Sequence, residues 1–281
     1  MLNALFINKP SGITSFDVCF RLRKVLGTKK IGHTGTLDPL ADGVMIVLFD
    51  KATKANQFLV TDNKEYIARV RLGIETDTLD IDGNVINETA YNLPDNDDLI
   101  NVLDSFLGQS RQEVPLTSAI SVNGKRLYQY QREGKEVELP IRDINVYEIK
   151  LLEIHEDGFS FKAKVSSGTY IRALVRDILK KLKLTGTLCS LTRTAVDNVT
   201  LDQCDALEDI EKGNYALHDL YELLSVKYPL VDYENIDDIR NGRSIKIDNN
   251  SDRILIVHDK EVLAVYDKNP DNSFSCARGL W

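Results

Sequence analysis

An α+β fold, with a mixed body of strands and helices and a small β-rich module toward the carboxy-terminal end, is predicted by three features of this sequence. Short strand-like runs are interspersed with segments of helical period along the body. Residues 144–165 read as a hairpin of two strands meeting at a short polar turn. Residues 253–267, RILIVHDKEVLAVYD, form two more strand-like runs after an acidic stretch.

Taken in order, residues 5–8 read as a strand and KPSGITS (9–15) as a turn, with Thr14 or Ser15 placed to cap a helix. Val18, Cys19, Leu22, Val25 and Leu26 recur at helical spacing, and Gly27 supplies the stop. After the loop at 31–43, VMIVLF (44–49) is continuously apolar and so reads as a buried strand. KATKANQFLVT (51–61) reads as a short helix. In KEYIARVRLGI (64–74), Tyr66, Ala68, Val70 and Leu72 alternate with Ile67, Arg69 and Arg71, the pattern of a strand with one wet face.

NDDLINVLDSFLG (96–108) is amphipathic with helical period and is predicted to end at Gly108. Residues 112–140 show Pro, Gly, charge and scattered tyrosines without sustained period, an excursion long enough to suggest function. INVYEIKLLEI (144–154) and FSFKAKV (159–165) make the hairpin through residues 155–158. Residues 173–184 read as a basic helix, LCSLTRTAV (188–196) as a strand, and 201–225 as acidic helix. The β-rich module begins near 236, which divides the chain into domains at 1–235 and 236–281.

At 281 residues and 43% hydrophobic content the chain can bury a full core. Its start, MLNALFINKP, fits neither a signal peptide nor an anchor, and no window reaches the ~18 apolar residues of a membrane span. Cys19, Cys189, Cys204 and Cys276 lack metal-ligand spacing and are too few to staple the chain. These features predict a cytoplasmic protein without a structural metal.

The net charge of −8 is unevenly placed. Residues 201–240 hold eleven Asp/Glu against three Lys/Arg, which alone is −8, so the remainder is neutral. Residues 1–37 carry six Lys/Arg against one Asp, and residues 161–194 carry eight against one. Two such basic segments can form a phosphate-binding footprint, with the acidic segment facing away.

In IGHTGTLDPLADGV (31–44), Pro39 restricts Asp38 to extended backbone, and Gly32, Gly35 and Gly43 allow close approach of a ligand. Asp38 is therefore a candidate nucleophile or base, although a turn-forming aspartate has the same local pattern. No GK[ST] follows, which excludes a Walker loop, and His33 with Asp38 cannot hold a metal alone.

GHTGTLDPLADGV closely resembles the signature of the TruB family of tRNA pseudouridine synthases, and further motifs follow in the family's order. KPSGITS resembles its amino-terminal motif, KEYIARVRLGIETDTLDIDG (64–83) its second, and VPLTSAISVNGKRLYQYQREG (114–134) its insertion. SSGTYIRALVRDI (166–178) and LTRTAV (191–196) resemble its later motifs. The likeness covers roughly residues 5–200. The carboxy-terminal module matches only in position the family's short PUA-like domain.

The resemblance implies a mixed, largely antiparallel sheet with flanking helices and an insertion around 112–140. It also implies isomerisation of uridine 55 in the T loop of tRNA, without a cofactor, by a monomer that needs no protein partner and no membrane. Residue by residue it makes Asp38 the catalytic aspartate, Tyr66 the tyrosine that packs on the base, and Arg172 the arginine that pairs with the carboxylate. Tyr170 becomes a pocket residue near ribose and base, Leu191 an apolar wall, Lys9 a lysine that supports the site, and His33 a histidine that stacks in the remodelled RNA loop. The sequence departs from the family at Asp42, Leu116 and Ser121, none of them a catalytic position. Two other readings compete: a non-catalytic RNA chaperone, and a glycoside hydrolase pairing Asp38 with Asp77 or Asp80. Neither accounts for Asp38, Tyr66 and Arg172 together with the basic segments.

Overall fold

The computed structural model describes residues 3–59 and 63–281, so Val60 and Thr61 of the predicted short helix lie outside the described residues. The chain opens with strand β1 (Asn3–Lys9), helix α1 (Ser15–Leu26), strands β2 (Ile31–His33) and β3 (Asp42–Phe49), and a 3₁₀ helix (Asp50–Phe58). Next come β4 (Asn63–Leu72), β5 (Ile74–Thr76), β6 (Val85–Glu88), α2 (Asn96–Asp104), β7 (Gly108–Glu113), β8 (Ser121–Val122), β9 (Lys125–Arg126) and α3 (Leu127–Arg132). They are followed by β10 (Ile141–His155), β11 (Gly158–Ser166), α4 (Ile171–Leu182), β12 (Gly186–Val196) and β13 (Val199–Thr200). Beyond these lie β14 (Asp205–Ala206), α5 (Leu207–Glu211), β15 (His218–Asp219), α6 (Leu220–Ser225), β16 (Leu230–Asp232) and α7 (Ile236–Arg240). The last strands are β17 (Ile245–Lys246), β18 (Arg253–His258), β19 (Glu261–Lys268) and β20 (Ser273–Gly279). The α+β class is the one predicted.

The chain forms two compact units, one of Met1–Asp38, Val44–Thr61 and Asp202–Trp281, the other of Pro39–Gly43 and Asp62–Leu201. In the first unit, β1 lies between β14 and β3, with β15 also on β1 and β2 on β3. α1 starts with a reciprocal cap: Asp17 N–H donates to the Thr14 hydroxyl, and Thr14 N–H donates to the Asp17 carboxylate. Gly27, at φ 63°, ends it in the left-handed conformation that glycine adopts without strain. A five-stranded sheet in the order β16-β18-β19-β20-β17 closes this unit's carboxy-terminal part over a core of Ile239, Ile254, Ile256, Tyr266 and Phe274. It is fastened to the 3₁₀ helix: the Tyr228 hydroxyl donates to Phe58 O at 3.0 Å, and Lys54 Nζ to Trp281 O at 2.7 Å.

The second unit is built on the antiparallel order β12-β4-β11-β10-β7. β4 buries Tyr66, Ala68, Val70 and Leu72 and leaves Ile67 and Arg71 exposed, the predicted alternation. β12 also pairs in parallel with the first residues of β3, Thr192 with Asp42 and Arg193 with Gly43. Gly43 has φ +102°, and a Cβ there would sit 2.2 Å from Arg193 O, so only glycine fits this contact.

Four local expectations are corrected. α2 stops at Asp104, and Gly108 opens β7 at φ 90° instead of ending the helix; the apolar period ran on through Phe106 and Leu107, which lie in the turn after the helix. The 112–140 segment is not irregular throughout: Gln112 and Glu113 finish β7, Asn123-Gly124 turns the β8–β9 hairpin with φ 51° and 79°, and Leu127 anchors α3 in the core. The acidic stretch is two short helices, α5 and α6, separated by Gly213 and a bridge to β1. Nor does it turn wholly away from basic residues. Arg21 on α1 forms a two-pronged pair with Glu211 on α5 at 2.7 and 2.5 Å, opposite charges drawing these segments together.

Candidate functional site

In the first unit the structure places Lys9 at the end of β1, His33 at the end of β2, and Asp38 in the loop leading to β3. Lys9 is fully buried, and its Nζ donates to Pro10 O at 2.8 Å and Ile13 O at 2.7 Å. A buried ammonium persists only where acceptors surround it, and here it folds KPSGITS into a tight turn. Asp38 is half-buried.

The anchor of that loop is a residue that pattern reading left ambiguous. Thr14 takes the capping role, and Ser15, 2% exposed, turns instead to Leu37: the Leu37 N–H donates to Ser15 Oγ at 2.8 Å, and Ser15 Oγ donates to Leu37 O at 3.1 Å. Both polar groups of the residue before Asp38 are thus satisfied by one hydroxyl on the first turn of α1. Ser15→Ala leaves a buried N–H unpaired at a cost of about 1–3 kcal/mol. Because it loosens the residue before Asp38, it is expected to lower kcat by roughly 10- to 100-fold. Single-turnover kinetics beside a melting curve checks both.

The second unit holds Tyr66, Tyr170, Arg172 and Leu191. Tyr66 faces Arg193 across the β4–β12 pair, and Leu191 faces Ala68, which puts all four side chains on one side of the sheet. Tyr66, Leu191 and Arg193 are buried, at 7%, 6% and 1% exposure. Tyr170 precedes α4, and its peptide group is clamped by Gln112: Tyr170 N–H donates to Oε1 at 2.8 Å, and Nε2 donates to Tyr170 O at 3.1 Å. That clamp sets where α4 begins and so where Arg172 sits.

Arg172 is 4% exposed, and its guanidinium donates to Thr78 O at 2.8 Å and Thr117 O at 3.0 Å and lies 3.5 Å from the Asp80 carboxylate. Asp80 is itself held by the Thr78 hydroxyl at 2.6 Å, in a turn that puts Leu79 at φ 66°, an uncommon conformation for leucine. The resemblance pairs Arg172 with Asp38; within its own unit the partners of the guanidinium include Thr78, Thr117 and Asp80.

Lys64 stands two residues before Tyr66 on β4. Burial, then the neighbouring Arg193 charge, pushes its ammonium down to about 8, with Asp197 opposing the shift. The unfolded lysine keeps its proton to its ordinary 10.5. Between these values the unfolded state binds more protons, so this group's contribution makes stability rise with pH from about 8 to 10.5. Lys64→Gln is expected to remove that rise, as melting temperatures across the pH range would report.

Sequence reasoning offers Ser15 only as a candidate cap and Asp80 only as a hydrolase's second carboxylate, and it gives Gln112 and Arg193 no role of their own. One signal existed for Asp80, its place in the TDTLDIDG motif. The basic segment 161–194 is also partly engaged inside the protein: Lys181 Nζ donates to Ser105 Oγ at 2.8 Å and lies 4.3 Å from the centre of the Phe106 ring.

A family model described as TruB family pseudouridylate synthase, N-terminal domain, matches residues 23–171. The tRNA pseudouridine synthase B of Clostridium kluyveri is 41% identical over 245 residues, covering 86% of this chain and 84% of that protein. That of Mycoplasma capricolum is 34% identical over 280 residues, covering 97% and 95%. Among solved structures, a Cbf5-Nop10-Gar1 complex matches with a TM-score of 0.74 at 23% identity, over all of this chain and 85% of the matched one. An H/ACA RNP bound to a substrate RNA containing 2′-deoxyuridine matches with the same TM-score at 22% identity, over the same shares. At these identities the structural likeness speaks for the fold.

Proposed function

The chain belongs to the TruB family of pseudouridylate synthases, and from that premise we propose that it isomerises uridine 55 in the T loop of tRNA, with Asp38 as the catalytic carboxylate. The observation that carries the reading is the family match itself, whose span includes His33, Asp38, Tyr66 and Tyr170.

The reaction breaks the bond between N1 of uracil and C1′, turns the detached base, and joins C5 to C1′. The proton on C5 leaves to solvent and N1 regains one, so atoms balance without redox change or cofactor. Positive character on the sugar is what a carboxylate can stabilise or trap. A stacked uridine must first be flipped out, at a cost of a few kcal/mol recovered by contacts with the base. Tyr66 supplies a flat face for it, and Leu191, on the same side of the sheet, an apolar wall that keeps water from the detached sugar. Arg172 serves the carboxylate, Tyr170 the ribose and base, Lys9 the turn ahead of the loop, and His33 the remodelled RNA. The carboxy-terminal five-stranded sheet is read as the PUA-like module, and the enzyme as one that works on tRNA as a single chain in the cytoplasm.

Tritium release from a tRNA transcript carrying 5-tritiated uridine tests the reaction, because only exchange of the C5 bond frees the label. Release that vanishes when position 55 is replaced by cytidine supports the site. Binding without release would favour an RNA chaperone and overturn the enzymatic reading.

A further inference from the structure

α1 buries Ser15, Val18, Cys19 and Leu22. Its opposite side presents Phe16 and Phe20, 63% and 62% exposed, one helical turn apart. Arg23, three residues further, lies against both, its guanidinium carbon 5.7 Å from each ring centre. Its Nε is shielded from solvent and has no hydrogen-bond acceptor among the described residues. Two phenylalanines on the outside of an amphipathic helix are an exception to its period, and the one guanidinium lies against both.

The charge around the rings restricts what fits them. Lys24, one turn along the helix from Phe20, is exposed, as are Lys29 and Lys30 beyond the helix end. The acid on this helix, Asp17, accepts from the Thr14 backbone N–H at 2.9 Å and from its hydroxyl at 2.6 Å, and Glu211 is taken up by Arg21. Glu208 also acts on Arg21, while the charge placed on both rings is that of Arg23. Apolar rings with a cation are the composition that binds nucleobases by their faces and phosphates by their charge.

We propose that Phe16, Phe20 and Arg23 form a stacking platform for an unpaired nucleobase of the RNA substrate, distinct from the uridine that is isomerised, with the Arg23 charge and the exposed Lys24 drawing its phosphate. The inference rests on the tRNA reading above and adds a second contact to it. The base must be unpaired because bases inside a duplex offer no free face. The platform and the catalytic loop share an anchor. Phe16 directly follows Ser15, whose hydroxyl holds the residue before Asp38, so a strand seated on α1 is registered to the catalytic loop through a single turn of helix.

The test compares full-length Phe16→Ala/Phe20→Ala with Phe16→Tyr/Phe20→Tyr, titrating each with unmodified tRNA transcript across a salt series. Base stacking lost from the alanine variant weakens tRNA binding by roughly 5- to 150-fold while the salt slope stays as in wild type, and the ring-preserving variant keeps wild-type affinity. Arg23→Gln reduces the slope of log K against log[salt] by ~0.7 to 0.9. As a direct signal, Phe16→Trp in a Trp281→Phe background has its emission quenched by tRNA. Alanine and wild-type proteins with equal affinity, or an unquenched tryptophan at 16, overturn the platform. A wild-type dimer that the alanine variant dissolves overturns it as well, since the rings would then belong to a second copy of the chain. Should wild type neither bind nor isomerise tRNA, it is the functional reading that fails, a result distinct from all of these.

Discussion

Replacing Asp38 by asparagine lowers turnover by about 10⁴-fold or more while tRNA affinity stays within about threefold of wild type. The change removes the negative charge and keeps the volume, and it leaves both devices that shape the loop: Pro39, which restricts residue 38 to extended backbone, and Ser15, which holds Leu37. A charge that acts only as the sugar becomes positive contributes to the transition state and little to ground-state binding. Single-turnover tritium release measured beside filter binding separates the two quantities. Activity within tenfold of wild type would remove Asp38 from the chemistry. A parallel loss of binding would mean that the substitution had disturbed the loop.

The second large effect is one of stability. Arg172→Met takes this guanidinium away from the buried Asp80 carboxylate, and two backbone carbonyls lose its N–H donors. Breaking a buried pair from one side costs about 3–5 kcal/mol. For a chain of this size that corresponds to a fall in melting temperature on the order of 10 °C. Adding Asp80→Asn to Arg172→Met should cost much less than the sum of the two single changes, because the stranded charge is then gone. Strict additivity in that cycle would show that the pair is not coupled.

Much of the fold was legible because its signals are local. Thr14 and Asp17 sit at capping-box spacing, Gly27 marks the end of α1, and β4 alternates residue by residue, so each element could be placed from a window of ten or so residues. Gly108 misleads for the same reason: a glycine after an apolar period looks like a helix stop, and what it does instead depends on β10, over thirty residues away. Asn123-Gly124 is a strong turn signal, yet the strands it joins are only two residues long, too short to show alternation. The candidate site divides similarly. The motifs point to Asp38, Tyr66, Tyr170 and Arg172 as candidates, whereas the groups that fix the backbone beside Asp38 and at Tyr170 are side chains bonded to distant backbone. Ser15 reaches across 22 residues to Leu37, and Gln112 across 58 to Tyr170. Such contacts leave no period in the sequence, and a serine in a turn or a glutamine in a strand has many ordinary reasons to be there.

The position of β1 has a consequence for synthesis. β1 carries Ala4, Leu5, Phe6 and Ile7, all buried, and one of its sides is completed by β14 and β15, with His218 stacked 3.7 Å from Phe6. On the ribosome these partners emerge roughly 200 residues after the strand they cover, a wait of about 10–40 s at ordinary elongation rates. Through that interval an apolar strand has an open edge, the feature that invites pairing with another chain. A chain stopped at residue 200 should therefore aggregate where the full-length protein does not, and supplying residues 201–281 as a separate fragment during translation should suppress it. Light scattering of the two translation reactions would tell. Soluble behaviour of the truncated chain would show that β3 alone protects β1 well enough.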